Sequence, residues 1–195
     1  MKNQAIEKAF KESYGQLTTK ELKALGMSEY GIKKLATEEL IWKIKRGIYQ
    51  WSDYDIDEHG LLSVIIPNGV LCLYSAAFIY EYTTNIPQQY HIAIASKRKV
   101  RLPDYPPITL NYWSGLQLSL GVSQLIYNDV PLTIFDREKT VCDFLKFRNK
   151  IDNSIVKEVV KAYLKDKNRD LSKLKAYSKQ LNIQTIVDTY LNILL

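Results

Sequence analysis

Basic and aromatic side chains recur between residues 30 and 46 at spacings that suit contact with a nucleic acid. Tyr30, Lys33 and Lys34 fall on the outer side of a predicted helix. A predicted hairpin that follows holds three further cations, which are Lys43, Lys45 and Arg46. Because lysine and arginine neutralise backbone phosphates, this set indicates a cationic surface for a polyanion.

The elements that must position these side chains are two short helices within residues 18–37. Thr18 and Glu21 have the spacing of a capping box, and Ser28 is a suitable N-cap for the second helix. Gly26 lies between the helices, where a left-handed residue can end the first. The residues expected to face the core are Leu22, Leu25, Ile32 and Leu35. A connection this short, with a glycine in it, is typical of a helix-turn-helix.

After Glu39 the hydrophobic period changes from 3.6 to 2, which predicts a hairpin that turns at Arg46 and Gly47. We expect a cationic outer face and an apolar inner face, the latter formed by Leu40, Trp42 and Ile44. A hairpin of this kind is the wing of a winged helix-turn-helix, in which the second helix enters the DNA major groove. The sequence therefore predicts binding to double-stranded DNA.

The predicted DNA-binding residues are Thr18, Thr19, Ser28, Tyr30, Lys33, Lys34, Lys43, Lys45 and Arg46. The alternative interpretation is that the cations are ordinary solvated side chains and that Tyr30 simply packs. Residues 1–50 contain ten Lys and Arg against six Asp and Glu, a net charge of +4. This charge agrees with the helix spacing and the wing, so we favour the DNA-binding interpretation.

The chain of 195 residues has a length typical of one or two domains, and its net charge of +6 favours a polyanionic partner. It has no run of about 18 apolar residues, and residues 1–15 lack the apolar segment of a signal peptide. We therefore expect a cytoplasmic protein with no membrane span, beginning with a helix that buries Ile6 and Phe10. Cys72 and Cys142 are expected to be buried thiols, and no Cys or His pair has metal-ligand spacing, so we expect neither metal nor cofactor.

The acidic stretch at residues 51–60 predicts a boundary between a DNA-binding domain at 1–55 and a second domain at 60–195. The second domain should contain a helix at 74–82, capped near Ser75, and strands at 90–95, at 107–113 and on both sides of a turn at Asn128 and Asp129 within 122–136. Later helices are expected at about 136–149, 152–166, 170–180 and 183–194, with Asp136 and Asp170 as N-caps. Strands followed by helices indicate an α+β fold in which the second domain ends in a helical bundle.

Two groups of charged residues in the second domain could carry chemistry. Residues 96–101 could form a secondary nucleic-acid contact or protect an exposed sheet edge. The cations of this basic cluster are Lys97, Arg98, Lys99 and Arg101. Residues 136–140, DREKT, place carboxylates near a lysine as in a metal nuclease, but acidic residues at a helix start are also favoured by the helix dipole. We expect no enzymatic activity and no catalytic residue, since the sequence has no phosphate-binding glycine loop and no nucleophile motif.

Three segments together resemble a known family. They are LTTKELKALGMSEYGIKKLATEELIWKIKRGIYQ at 17–50, VLCLYSAAFIYEYTT at 70–84, and TIFDREKTVCDFLKFRNKI at 133–151 with its D-x-x-x-T-x-x-D pattern. In order and spacing the chain resembles the AbiEi antitoxin family of bacterial abortive-infection systems. The family pattern maps onto Arg46, Gly47 and Tyr49 in the wing and onto Asp136, Thr140 and Asp143 in the later helix, with no catalytic role assigned to any of them.

The resemblance implies a type IV antitoxin. In that family the winged helix represses the antitoxin–toxin operon by binding inverted repeats in its promoter, and the second domain neutralises a nucleotidyltransferase-like toxin without forming a stable complex. One winged helix offers a small contact area, and no dedicated dimerisation helix is evident, so we expect a monomer in solution that binds neighbouring half-sites cooperatively. Two other classes stay open, a metal nuclease delivered by the head and a winged helix that docks proteins.

Overall fold

The computed structural model describes residues 2–54 and 58–194, and it divides the chain into two compact units. The first unit contains residues 1–67 and 100–105, and the second contains residues 68–99 and 106–195. The expected boundary at residues 51–60 includes residues 55–57, which lie outside the described residues. Among the residues that the structure describes, no helix is long and apolar enough to cross a membrane.

The first unit consists of helices around a three-stranded antiparallel sheet. In chain order its elements are α1 (Lys2–Glu12), β1 (Gln16–Thr18), α2 (Thr19–Ala24), α3 (Glu29–Thr37), β2 (Ile41–Lys45), β3 (Ile48–Trp51) and α4 (Glu58–Ile65). The strand order is β1-β3-β2. The core joins Ile6 and Phe10 of α1 to Leu22 of α2 and to Ile32 and Leu35 of α3, which confirms the spacing for these residues. Leu25, which we expected to face the core, is 43% exposed, because α2 ends at Ala24 and Leu25 lies at its C-cap.

Three helix ends in the helix-turn-helix are built as the sequence predicts. Thr18 accepts the N–H of Glu21 at 3.2 Å, while its own N–H donates to the Glu21 carboxylate at 2.7 Å, which completes the capping box. Gly26 has φ +80°, and Met27 donates to the Leu22 carbonyl at 3.0 Å, so α2 ends in a Schellman motif. Ser28 caps α3 by accepting the N–H of Gly31 at 3.1 Å.

The hairpin forms as predicted, but its inward-facing residues differ from the prediction. Ile41 is buried, while Trp42, which we expected to face inward, is 51% exposed. The reason lies in the pairing, because Ile41 lies opposite Trp51, whose ring packs against Phe10 at 5.4 Å between centroids. The register then shifts between Lys43 and Lys45, so a single alternation does not run through the strand.

The second unit is a mixed five-stranded sheet with helices, which confirms the α+β prediction. Its elements are β4 (Val70–Leu71), α5 (Leu73–Ile79), β5 (Tyr90–Ala95), β6 (Ile108–Trp113), α6 (Leu116–Ser119), β7 (Val122–Tyr127), β8 (Val130–Phe135), α7 (Arg137–Lys146), α8 (Asn153–Lys165), α9 (Leu171–Gln180) and α10 (Gln184–Leu194). The strand order is β6-β5-β4-β8-β7, with the β4–β8 and β5–β6 pairs parallel and the other two antiparallel.

Local signals in the second unit are confirmed with one exception. Asn128 and Asp129 both have positive φ, as a two-residue hairpin turn requires, and Asp136 and Asp170 cap α7 and α9. Ser75 does not cap α5, because that helix begins two residues earlier and the Ser75 hydroxyl accepts the N–H of His91 at 2.8 Å.

Candidate nucleic-acid interface

The outer face of α3 carries the side chains that the sequence assigned to DNA contact. Tyr30 is 78% exposed, and Lys33 and Lys34 are exposed beside it. Ile32 and Leu35 on the opposite face are buried in the core of the first unit. The helix therefore anchors one face and presents an aromatic ring and two ammonium groups on the other, and the alternative that Tyr30 packs in the core is wrong.

Two ion pairs modify the charge around this face. Lys23 of α2 bonds to Glu29 at the start of α3 at 2.7 Å, and this hydrogen bond lowers the pKa of the Glu29 carboxyl. Lys34 approaches Glu38 at 3.7 Å one turn further on, with both side chains exposed. Exposed pairs of this kind are weak and exchange readily, so the Lys34 ammonium can move to a phosphate.

The wing separates its three cations. Lys43 and Arg46 are exposed, and Gly47 makes the turn with φ +83°. The Lys45 ammonium instead donates to the Ile65 carbonyl at the end of α4, at 2.6 Å. Lys45 thus has a structural partner within the first unit, whereas Lys43 and Arg46 extend into solvent. Tyr49, which the family pattern also matches, is half-buried and packs on the core of the unit.

The three hydroxyl residues of the predicted set have structural roles. The Thr18 hydroxyl donates to the Glu21 carboxylate at 2.7 Å and accepts the Glu21 N–H, so it is fully used by the capping box. Ser28 caps α3. Thr19 donates its backbone N–H to the Gly47 carbonyl at 2.8 Å, which ties the start of α2 to the turn of the wing.

The basic cluster at residues 97–101 lies where the chain passes from the second unit to the first. Residues 97–99 belong to the second unit and residue 101 to the first. Lys97, Lys99 and Arg101 are exposed, and Arg98 is half-buried. These residues follow β5 directly, as the sequence predicted, in a segment without helix or strand.

Helix α7 and its N-cap contain the D-x-x-x-T-x-x-D pattern, and the three residues of this pattern all bond within the second unit. Asp136 caps the helix and also accepts the Tyr177 hydroxyl at 2.9 Å, and Thr140 donates to the Phe135 carbonyl at 3.3 Å. Asp143 is fully buried and pairs with Lys139 at 2.6 Å. The motif is therefore explained by capping and packing.

The Lys139–Asp143 pair was not foreseen from the sequence. Both side chains are 0% exposed, and the Lys139 ammonium lies 4.2 Å from the Phe135 ring centroid and 4.8 Å from that of Trp113. The Gln117 amide donates to Asp143 at 2.6 Å. Burial raises the pKa of Asp143 to about 6, against the lowering effects of Lys139 and Gln117. The i,i+4 spacing was the available signal, but such pairs usually lie on helix surfaces.

The carboxylates at the start of α7 are paired with groups on later helices. Lys173 of α9 contacts Asp136 at 3.0 Å and Glu138 at 3.4 Å, and Arg137 bonds to Asp166 at 2.9 Å. Among the described residues, no group of three or more His, Cys, Asp or Glu side chains could hold a metal ion.

These elements define the first unit as a winged helix-turn-helix and the second as a mixed α+β unit that ends in helices. The fold is similar to the crystal structure of the RV2827C protein from Mycobacterium tuberculosis, with a TM-score of 0.52 over 91% of this chain and 75% of that chain. The two sequences are 12% identical, so the likeness concerns the fold alone. No protein-family model and no curated protein matches the sequence.

Proposed function

We propose that this protein is a DNA-binding autorepressor and the antitoxin of a type IV abortive-infection system. The observation that carries the DNA-binding part is the exposed set on two adjacent elements, with Tyr30, Lys33 and Lys34 on α3 and with Lys43 and Arg46 on the wing. We leave Lys45 out of this set, because its ammonium bonds to the Ile65 carbonyl.

The dimensions of α3 suit a recognition helix. An α-helix with its side chains is about 10–12 Å in diameter, and the major groove is about 12 Å wide. The nine residues of α3 give it about 13 Å of length to lie in the groove. In this proposal Tyr30 faces base edges, while Lys33, Lys34, Lys43 and Arg46 neutralise phosphates on either side of the groove. The backbone hydrogen bond from Thr19 to Gly47 ties the start of α2 to the wing, and the buried side chains of α2 and α3 share one core.

The antitoxin part rests on the sequence resemblance to the AbiEi family in three segments. In this proposal the protein works in the cytoplasm and binds inverted repeats in its own promoter. Its second unit opposes the effect of a nucleotidyltransferase-like toxin without catalysis of its own, with no cofactor and no stable toxin complex. The protein is a monomer in solution, and two copies bind neighbouring half-sites cooperatively.

Promoter DNA that contains the inverted repeats tests the DNA-binding part. Neutralising both lysines of α3 in Lys33→Gln/Lys34→Gln should weaken binding at least tenfold at physiological salt, since two phosphate or base contacts are lost. The matched control is Lys157→Gln/Lys161→Gln on α8, which removes the same charge from two exposed lysines of the second unit. If both variants lost the same affinity for DNA, the effect would be due to net charge alone, and α3 would be rejected as the recognition helix.

Co-expression with the toxin encoded beside this protein tests the antitoxin part. The Lys33→Gln/Lys34→Gln variant should lose repression in a promoter-reporter assay yet still rescue growth, because the two activities belong to different units. Loss of rescue together with repression, at equal protein level, would mean that antitoxicity is repression alone.

A further inference from the structure

Strand β7 is an edge of the five-stranded sheet and has an unusual surface for an edge. Its sequence, VSQLIY, contains no charge, and Val122 and Ile126 are 44% and 65% exposed on the same side as the exposed Gln124. Its pairing with β8 is regular over six residues, with no bulge. Natural proteins usually protect such an edge with charge, proline or a bulge. The opposite edge, β6, is better covered, since only Tyr112 of its residues is exposed.

The hydrogen bonds of the hairpin determine which backbone groups of β7 face outward. Asp136 donates its N–H to the Gly121 carbonyl at 2.8 Å, so the pair 121 and 136 is a hydrogen-bonded pair of the ladder. Such pairs alternate in an antiparallel ladder, so residues 123, 125 and 127 also bond to β8. The N–H and C=O groups of residues 122, 124 and 126 therefore point away from β8, toward the free edge.

We propose that β7 pairs with β7 of a second copy of this chain, antiparallel and about a two-fold axis at Gln124. In this register the outward N–H and C=O groups of residues 122, 124 and 126 form hydrogen-bonded pairs with the other copy. Val122 of each copy lies opposite Ile126 of the other, which gives two such pairs. Gln124 then lies opposite its own equivalent, and its amide is already held by a 3.0 Å bond to Thr133. The edge is thus self-complementary in backbone, apolar contact and charge, as an isologous interface requires.

The size of this edge decides when the pairing forms. One six-residue strand buries far less than the roughly 1,200 Å² of a stable interface, so free copies stay monomeric at micromolar concentration. Two copies bound to neighbouring half-sites have an effective concentration near the millimolar range, where a weak contact is occupied. The pairing therefore supplies the cooperativity of promoter binding, and this consequence rests on the proposed function.

Binding to duplexes with one or two half-sites tests the contact through Ile126→Lys. Its matched control is Ile193→Lys on α10, an isoleucine 72% exposed that receives the same added charge. We expect Ile126→Lys to bind one half-site like the control but to lose cooperativity on two half-sites by about tenfold, within the usual range of coupling between sites. The double variant Val122→Glu/Ile126→Lys should regain it, because this register places each Glu opposite the Lys of the other copy. Equal cooperativity in Ile126→Lys and Ile193→Lys would overturn the proposal.

Cross-linking without DNA separates this inference from the proposed function. At high protein concentration, Gln124→Cys should give a dimer with a short bismaleimide, since opposite Cα atoms of a hydrogen-bonded pair lie about 5.5 Å apart. The parent is the control, because its two native thiols, Cys72 and Cys142, are buried. Selective cross-linking by a protein that does not bind promoter DNA would reject the repressor function and retain the pairing. The pairing is overturned if Gln124→Cys cross-links no more than an Ile193→Cys variant does. It is also overturned if Ile126→Lys changes only the rescue from the toxin, because the edge would then bind another partner.

Discussion

The contribution of the wing to DNA binding can be tested quantitatively, because two of its cations are exposed and the third, Lys45, bonds within the protein. Four exposed cations, Lys33, Lys34, Lys43 and Arg46, are available to phosphates, while Lys45 donates to the Ile65 carbonyl. With a slope of about −0.9 per phosphate, log K for a single half-site should fall against log salt with a slope of about −3.6. Between 50 and 200 mM salt this amounts to a loss of about 150-fold in affinity.

Three single substitutions to glutamine separate these roles. Arg46→Gln and Lys43→Gln should each reduce the slope to about −2.7, so that the same salt change costs only about 40-fold. Lys45→Gln should keep the parent slope and instead lower the free energy of unfolding by about 1–2 kcal/mol, since the Ile65 carbonyl loses a charged donor. Fluorescence anisotropy with a labelled single half-site duplex gives the slopes, and thermal unfolding gives the stability.

Either of two results would contradict these roles of the wing cations. A slope for Lys45→Gln as low as that for Arg46→Gln would mean that Lys45 turns to the DNA. Unchanged slopes for both Lys43→Gln and Arg46→Gln would remove the wing from the interface. The salt slopes are compared under conditions in which the same fraction of each variant is folded, so that a loss of stability is not mistaken for a loss of DNA contact.

Three further predictions concern stability. Gly26→Ala should lower the free energy of unfolding by about 1 kcal/mol because φ is +80° at this position. Glu39→Gly should raise it by about as much, because Glu39 has φ +56° at the end of α3. The midpoints of denaturant unfolding curves measure both changes, provided that the slopes of the curves stay equal. Lys139→Met leaves Asp143 buried without its partner, so its folded pKa rises further above the unfolded value near 4. In this variant the contribution of Asp143 to the free energy of unfolding is fully present below pH 4 and is lost as the pH rises toward the raised folded pKa. Between pH 6 and 8 the free energy of unfolding should fall by about 1.4 kcal/mol per pH unit, while that of the parent and of Lys139→Met/Asp143→Leu should stay constant. Burial raises the pKa of both native thiols, so their reaction with a disulfide reagent should follow global unfolding; a fast reaction in the folded protein would contradict this.

Local signals in the sequence were sufficient wherever neighbouring residues decide the structure. The capping box at Thr18, the Schellman end at Gly26 and the Asn128–Asp129 turn each depend on groups within about six residues. The amphipathic spacing of α3 likewise fixed which side of that helix is buried, and hence that Lys33 and Lys34 are exposed.

Tertiary structure decided what depends on partners distant in the chain. Alternation alone placed Trp42 inward, yet the pairing of Ile41 with Trp51 and the register shift beyond it reverse the faces of the hairpin. Lys45 had the same sequence signal as Lys43, and its bond to the Ile65 carbonyl, twenty residues later, distinguishes the two lysines.

The burial of the Lys139–Asp143 pair also depends on residues that are distant in the sequence. Its i,i+4 spacing is common on solvated helix faces, and the rings of Trp113 and Phe135 that enclose the ammonium come from two different strands. The amino-acid sequence by itself therefore determined the helix-turn-helix, its caps and the charge of its outer face, because hydrogen bonding and periodicity act over one or two turns. Which cations are free for a polyanion, and which edge of the sheet is open, was decided by strand order and long-range packing, since those set each side chain's surroundings.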